Sequence, residues 1–93
     1  MLYRWIRWNV DKVMLHGVTP EEAEQVVNGA TNPYPQSGGH GRFLVWGPTT
    51  AGRFVQVVYV PDEDERAFVI HARPLTEKEK RRWQRQRRKR GTR

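Results

Sequence analysis

Ninety-three residues, 37% of them hydrophobic and none of them cysteine, make one small domain with a modest core and no disulfide or thiolate–metal framework. No apolar run approaches the ~20 residues of a membrane span and the N-terminus lacks the apolar stretch of a signal peptide, so a soluble, cytoplasmic protein is expected. The formal net charge of +7 is uneven: residues 76–93 carry ten Lys or Arg against two Glu, whereas residues 1–75 carry seven basic and eight acidic groups. A cationic segment beside a near-neutral body suggests a polyanionic partner, nucleic acid or an acidic protein, although it could simply keep a small protein soluble.

Residues 2–8 are rich in aromatic and β-branched side chains, which favours a strand. Tyr3, Trp5 and Trp8 could stack on bases, but such residues more often serve as core and edge packing. Asn9 then offers an N-cap, Val10, Val13 and Met14 follow at helical spacing, and Gly17 supplies a stop, predicting a helix over 10–16. Lys12 and His16 lie four apart on its polar side, as a solvated face or as a basic pair near a site. Thr19-Pro20-Glu21-Glu22 is the clearest local signal. Thr19 suits the N-cap, Pro20 the first helical position, and Glu22 closes a capping box. Ala23, Val26 and Val27 form the stripe to be buried, and Gly29 ends the helix. Glu21, Glu22 and Glu24 resemble a catalytic cluster, but two of them occupy the first turn, where the helix dipole favours them.

Residues 30–41 read as a loop. His40 sits there between glycines without a partner in sequence, and the glycines lack a P-loop pattern. Strands over 42–46, 53–60 and 66–73, joined by short turns, predict antiparallel hairpins. Gln56 interrupts one apolar row of the middle strand, so its pattern does not say which face is deeper. In the last strand Phe68, Ile70 and Ala72 read as the core face, with Ala67, Val69, His71 and Arg73 opposite. Pro74 closes that strand. An imidazole and a guanidinium at a strand end, beside a helix start, make a plausible place for phosphate chemistry. Thr76-Glu77-Lys78-Glu79 is a second capping box. The helix it opens has little apolar surface beyond Trp83 and the stems of long side chains, and past about residue 86 its like charges should fray it. The expected architecture is α+β in the order β-α-α-β-β-β-α: one domain over 1–85 and a basic tail over 86–93.

Trp8-Asn9-Val10, the run from His16-Gly17-Val18 to Ala23, Gly47-x-Thr49-x-x-Gly52-Arg53, and Ile70-His71-Ala72-Arg73-Pro74 before a Glu-rich helix start recur in one order and spacing. Over about residues 5–85 they resemble the BrnT-like toxin family. The resemblance implies a RelE-like fold, a small antiparallel sheet with two N-terminal helices and one C-terminal helix. It also implies the toxin component of a type II toxin–antitoxin system, a metal-free endoribonuclease neutralised by a small antitoxin that buries its active site, in a heterotetramer if that antitoxin dimerises. By position it points to Arg53, Arg73 and His16. Leu15 stands where the family often has lysine, and His71 where it often has a small residue.

RNA is cut when a 2′-hydroxyl attacks the adjacent phosphate, which requires a stabilised oxyanion and two proton transfers. Arginine presents a permanent, planar charge to phosphate oxygens, so Arg53 and Arg73 are assigned to the oxyanion, with Arg82 in reserve. One such donor is worth about 3 kcal/mol. His71 and His16 suit the proton transfers, with Glu79 as a carboxylate alternative. Lys12, Arg42, Lys80, Arg82, Trp83 and Arg85 are candidates for RNA contact. Three scattered histidines lack zinc spacing, so no metal or other cofactor is expected. The plainer readings are a strand histidine satisfied by a neighbour for His71 and a hairpin-end surface arginine for Arg53. The nuclease reading as built on these arginines stands on Arg53 and Arg73 converging in one concave pocket; on opposite sides of the molecule, with neither facing a cleft, they would leave a small neutral body with a cationic appendage. Its alternative is a non-catalytic basic module that binds RNA or protein.

Overall fold

The computed structural model describes residues 1–91, with side chains described as far as Arg87. The protein is a small mixed α+β domain. In chain order it forms β1 (Leu2–Tyr3), α1 (Arg7–Met14), α2 (Pro20–Asn28), β2 (Gln36–Gly39), β3 (Arg42–Pro48), β4 (Phe54–Pro61), a 3-10 turn at Glu63–Glu65, β5 (Arg66–Pro74) and α3 (Glu77–Gly91). The five strands lie in one sheet, β1-β5-β4-β3-β2. The β2–β3–β4–β5 ladder is antiparallel, as the short turns imply, but β1 runs parallel to β5. No helix among the described residues is long and apolar enough to cross a membrane.

Two expectations for the N-terminal third change. The strand expected over 2–8 is two residues long, and α1 begins at Arg7 rather than at Val10. Asn9 is not the N-cap. It lies fully buried inside the first turn, where its carboxamide accepts from Ile6 N–H at 2.7 Å and donates to the Arg4 carbonyl at 3.0 Å. It thus joins the end of β1 to the start of α1, which a surface cap would not do. In the expected loop, Gln36–Gly39 pairs with β3 as an exposed edge strand. Its Gln-Ser-Gly-Gly sequence has almost no β-propensity, so the pairing comes from its neighbour and not from its own residues.

α2 forms as its residues dictate. The Thr19 hydroxyl accepts from Glu22 N–H at 3.1 Å and the Glu22 carboxylate accepts from Thr19 N–H at 3.0 Å. Its stripe of Ala23, Val26 and Val27 packs with Val13 of α1 and Val18 onto one sheet face, against Val45, Val55, Val57, Val69 and Ala72. Gly47 of β3 faces α2, where a Cβ would make an ordinary van der Waals contact with a Val26 methyl at 3.9 Å.

The expected core face of β5 is wrong in an informative way. Tyr59 pairs with Val69 and Val58 with His71, so Ile70 is an extra residue without a partner, a β-bulge. Alternation restarts after it. Ala67, Val69 and Ala72 are buried against α1 and α2, while Phe68, His71 and Arg73 project from the other face. α3 packs across that second face through Trp83, buried against Phe54 with ring centroids 5.2 Å apart, and through Gln86, which accepts from the Tyr34 hydroxyl at 3.0 Å. The fraying expected over 86–93 falls largely on residues whose side chains, or for 92–93 whose placement altogether, lie outside the described part.

Asn9→Ala removes the hydrogen bonds to the Ile6 N–H and the Arg4 carbonyl, a loss of about 2 kcal/mol. Urea denaturation should report that loss; a change below about 0.5 kcal/mol would show that Asn9 is not the joint between β1 and α1.

Candidate functional site

Strand pairing places Trp46, Gln56 and Arg73 side by side across β3, β4 and β5. Gln56, the polar residue in an otherwise apolar strand, is the hub of this row. Its carbonyl oxygen accepts from the Trp46 indole at 2.9 Å and from Arg73 at 3.1 Å. The Arg73 guanidinium meets the Glu79 carboxylate through two parallel bonds of 2.8 Å, and one of its nitrogens also donates to the Pro74 carbonyl at 3.1 Å. Glu79 in turn closes the second capping box, accepting from Thr76 N–H at 2.8 Å while its own N–H donates to the Thr76 hydroxyl at 3.1 Å. One carboxylate therefore starts α3 and moors it to β5. The Arg73 hydrogen bonds, helped by Thr76, hold that carboxyl at about 2 against an ordinary 4.5. Glu79 raises Arg73 in turn.

The neighbouring row is Leu44, Val58 and His71. Here the bulge brings the His71 ring against His16, which follows the end of α1; the centroids are 5.4 Å apart at 63°. Burial pushes the His71 imidazole below its ordinary 6.5, and charge on His16 and Arg73 pushes it the same way. No described residue hydrogen-bonds either imidazole, and His71 is a partly buried strand residue whose ring neighbour is His16.

Arg53 is elsewhere. Its guanidinium donates to the Gly17 carbonyl at 2.8 Å and pairs with Glu22 of the first capping box at 3.1 Å, on the α1–α2 side of the sheet. Arg53 and Arg73 therefore do not share a pocket: the sheet separates them, because Arg53 precedes β4 in step with core-facing Val55 and Val57 while Arg73 is in step with Gln56. Each guanidinium is engaged by a capping-box glutamate, which the residue spacing gave no means of reading.

The RNA-contact candidates divide. Trp83 is a core residue, not a stacking surface. Lys80 and Arg82 lie over the Phe54 and Trp46 rings at 5.0 and 6.0 Å. Arg85 is exposed on α3, exposed Arg42 bonds the Gly39 carbonyl at the far edge of the sheet, and Lys12 stands over Trp8 on α1. His40 lies apart, in the β2–β3 turn. Among the described residues no group of three His, Cys, Asp or Glu is arranged to hold a metal ion. What converges is thus His16, His71, Arg73 and Glu79, beside the first turns of a basic helix. Gln56 was missed as a site residue; the break it makes in the apolar row of β4 was the available signal.

Because the folded value for Glu79 lies below the unfolded one, the Arg73 pair stabilises the fold above about pH 4.5, and that contribution fades as pH falls toward 2. Glu79→Gln should cost about 2 kcal/mol at neutral pH, as expected for hydrogen bonds to charged groups. Its stability should also change less than wild type between those two pH values. Denaturation curves that run parallel for the two proteins across that window would rule out the pair as the mooring of α3. No protein-family model, curated protein or solved structure matches the chain.

Proposed function

We propose that the protein is a metal-independent endoribonuclease of RelE-like fold, the toxin component of a cytoplasmic type II toxin–antitoxin system whose small antitoxin covers the site. The observation that carries this reading is the His16–His71 pair, two imidazoles 5.4 Å apart and not hydrogen-bonded by any described residue. Cleavage by 2′-hydroxyl attack needs one group to take a proton and another to give one. Burial favours the neutral form of His71, which suits it as the base that removes the 2′-hydroxyl proton. The freed oxygen bonds to phosphorus as the bond to the 5′-oxygen breaks. His16, when charged, supplies the proton to that leaving oxygen. The products are a 2′,3′-cyclic phosphate and a 5′-hydroxyl. Arg73 sits two residues from His71 with most of its donors committed to Glu79, Gln56 and Pro74. In this mechanism it orients the strand end and adds positive potential, while cations of α3 hold the RNA backbone. Arg53 has no part in the chemistry.

The second reading, a non-catalytic basic module that binds RNA or a protein, is favoured by one observation. Both arginines expected to stabilise the oxyanion are held by Glu22 and Glu79, whereas an oxyanion site needs donors already aimed at the developing charge.

Purified protein in EDTA should cut single-stranded RNA and leave 2′,3′-cyclic ends. His71→Ala should lower the rate about 100- to 10,000-fold, the ordinary range for general acid–base catalysis. Truncation after Arg87, which leaves the Tyr34–Gln86 bond intact, should weaken RNA binding yet keep measurable cutting. No cutting by the full chain, together with loss of all RNA binding on truncation, would select the basic module instead.

A further inference from the structure

Trp8, the second residue of α1, remains 49% exposed although it is the bulkiest kind of side chain. Its indole lies parallel to the Phe68 ring, with centroids 6.0 Å apart and planes 8° from parallel. The Arg4 guanidinium covers Phe68 at 4.4 Å from its centroid. Lys12, one turn along α1, holds its ammonium 5.3 Å from the Trp8 ring. Two aromatic planes and two cations thus form a layered cluster along the seam between α1 and β5. Among the described residues, Phe68 is flanked by Arg4 and Trp8, whereas Trp8 has, besides Phe68, the Lys12 ammonium over its ring. Further along this seam stand His16, eight residues after Trp8, and His71, three after Phe68. The helix from Trp8 to Met14 rises roughly 9 Å and His16 lies two residues beyond its end, a span of about three nucleotides of stacked strand and fewer of an extended one.

We infer that Trp8 is a base-stacking subsite for single-stranded RNA, holding one nucleobase a short distance along the strand from the phosphate at His16 and His71. The inference rests on the RNA reading above and adds where the strand lies. A base can take the Trp8 face from Lys12, because stacking on an aromatic ring is worth about 5- to 150-fold in affinity per base, against about two- to fivefold for an exposed cation–π contact. The displaced ammonium then meets the phosphate of the same nucleotide. Charge favours RNA over an apolar protein segment. Arg4 is paired with Asp62 and Arg7 lies 4.0 Å from Asp11, but Lys12 has no acidic partner among the described residues. A flat ring beside an uncompensated cation suits a base and its phosphate.

The test uses the full chain and fluorescently labelled 2′-O-methyl RNA octamers, which bind but lack the attacking hydroxyl. Trp8→Ala should weaken binding about tenfold or more, and Trp8→Phe should stay within about threefold of wild type. In a series of octamers with one abasic position each, one position should weaken wild-type binding and abolish the difference between wild type and Trp8→Ala. The inference is overturned if Trp8→Ala binds within twofold of wild type, or loses equally on every abasic probe. It is also overturned if sedimentation shows a wild-type dimer that Trp8→Ala splits, since a second copy then covers the ring. Unmodified octamers separate the two claims. Trp8-dependent binding without cutting leaves the stacking subsite and removes the nuclease. Cutting that depends on His71 but is indifferent to Trp8 does the reverse.

Discussion

At Ile70 the last strand carries one residue more than its partner, and the candidate site depends on that insertion. With strict alternation His71 and Arg73 would point into the valine core under α1 and α2, where an imidazole and a guanidinium would each have to be desolvated. The extra residue turns Ala72 inward instead. It sends His71 toward His16 and Arg73 toward α3. A bulge costs ladder hydrogen bonds and strand regularity. Here it separates the valine-lined face under α1 and α2 from the face that carries Gln56, His71 and Arg73.

Each side of the sheet carries one copy of the same device. Thr19 with Glu22, and Thr76 with Glu79, each close a capping box, and each glutamate also takes up an arginine from the sheet. In this way the local signal that starts a helix also fixes where the helix docks. For α3 this matters most, because its sequence is strongly cationic and its buried contact is largely Trp83. The Arg73–Glu79 bonds and the Trp46–Gln56–Arg73 row give a polar helix a defined seat that apolar area alone would not.

Local rules made much of this legible. The capping boxes, the Gly17 turn, the Ala23–Val26–Val27 stripe, the three central strands and the docking of Trp83 all follow from residue types a few positions apart, and all are present. Long-range pairing set what failed. β2 exists only because β3 offers an edge. Asn9 reads as a cap until Arg4 and Ile6 are seen to need its carboxamide. The face of β5 was misassigned because nothing near Ile70 in sequence marks a bulge. Arg53 and Arg73 were paired as two cations after strand ends, while the partners that claim them lie 31 and 6 residues away. Of the groups proposed for chemistry, His16 and His71 are the two whose meeting no local pattern foretold.

The central claim is that these two imidazoles act as one unit on one phosphate. A double-mutant cycle of RNA cleavage rates tests it directly. Groups that share a single step are strongly non-additive, so the His16→Ala/His71→Ala double variant should be about as slow as the slower single variant. Losses that multiply across the two positions, or single variants that cut RNA as fast as wild type, would contradict the account.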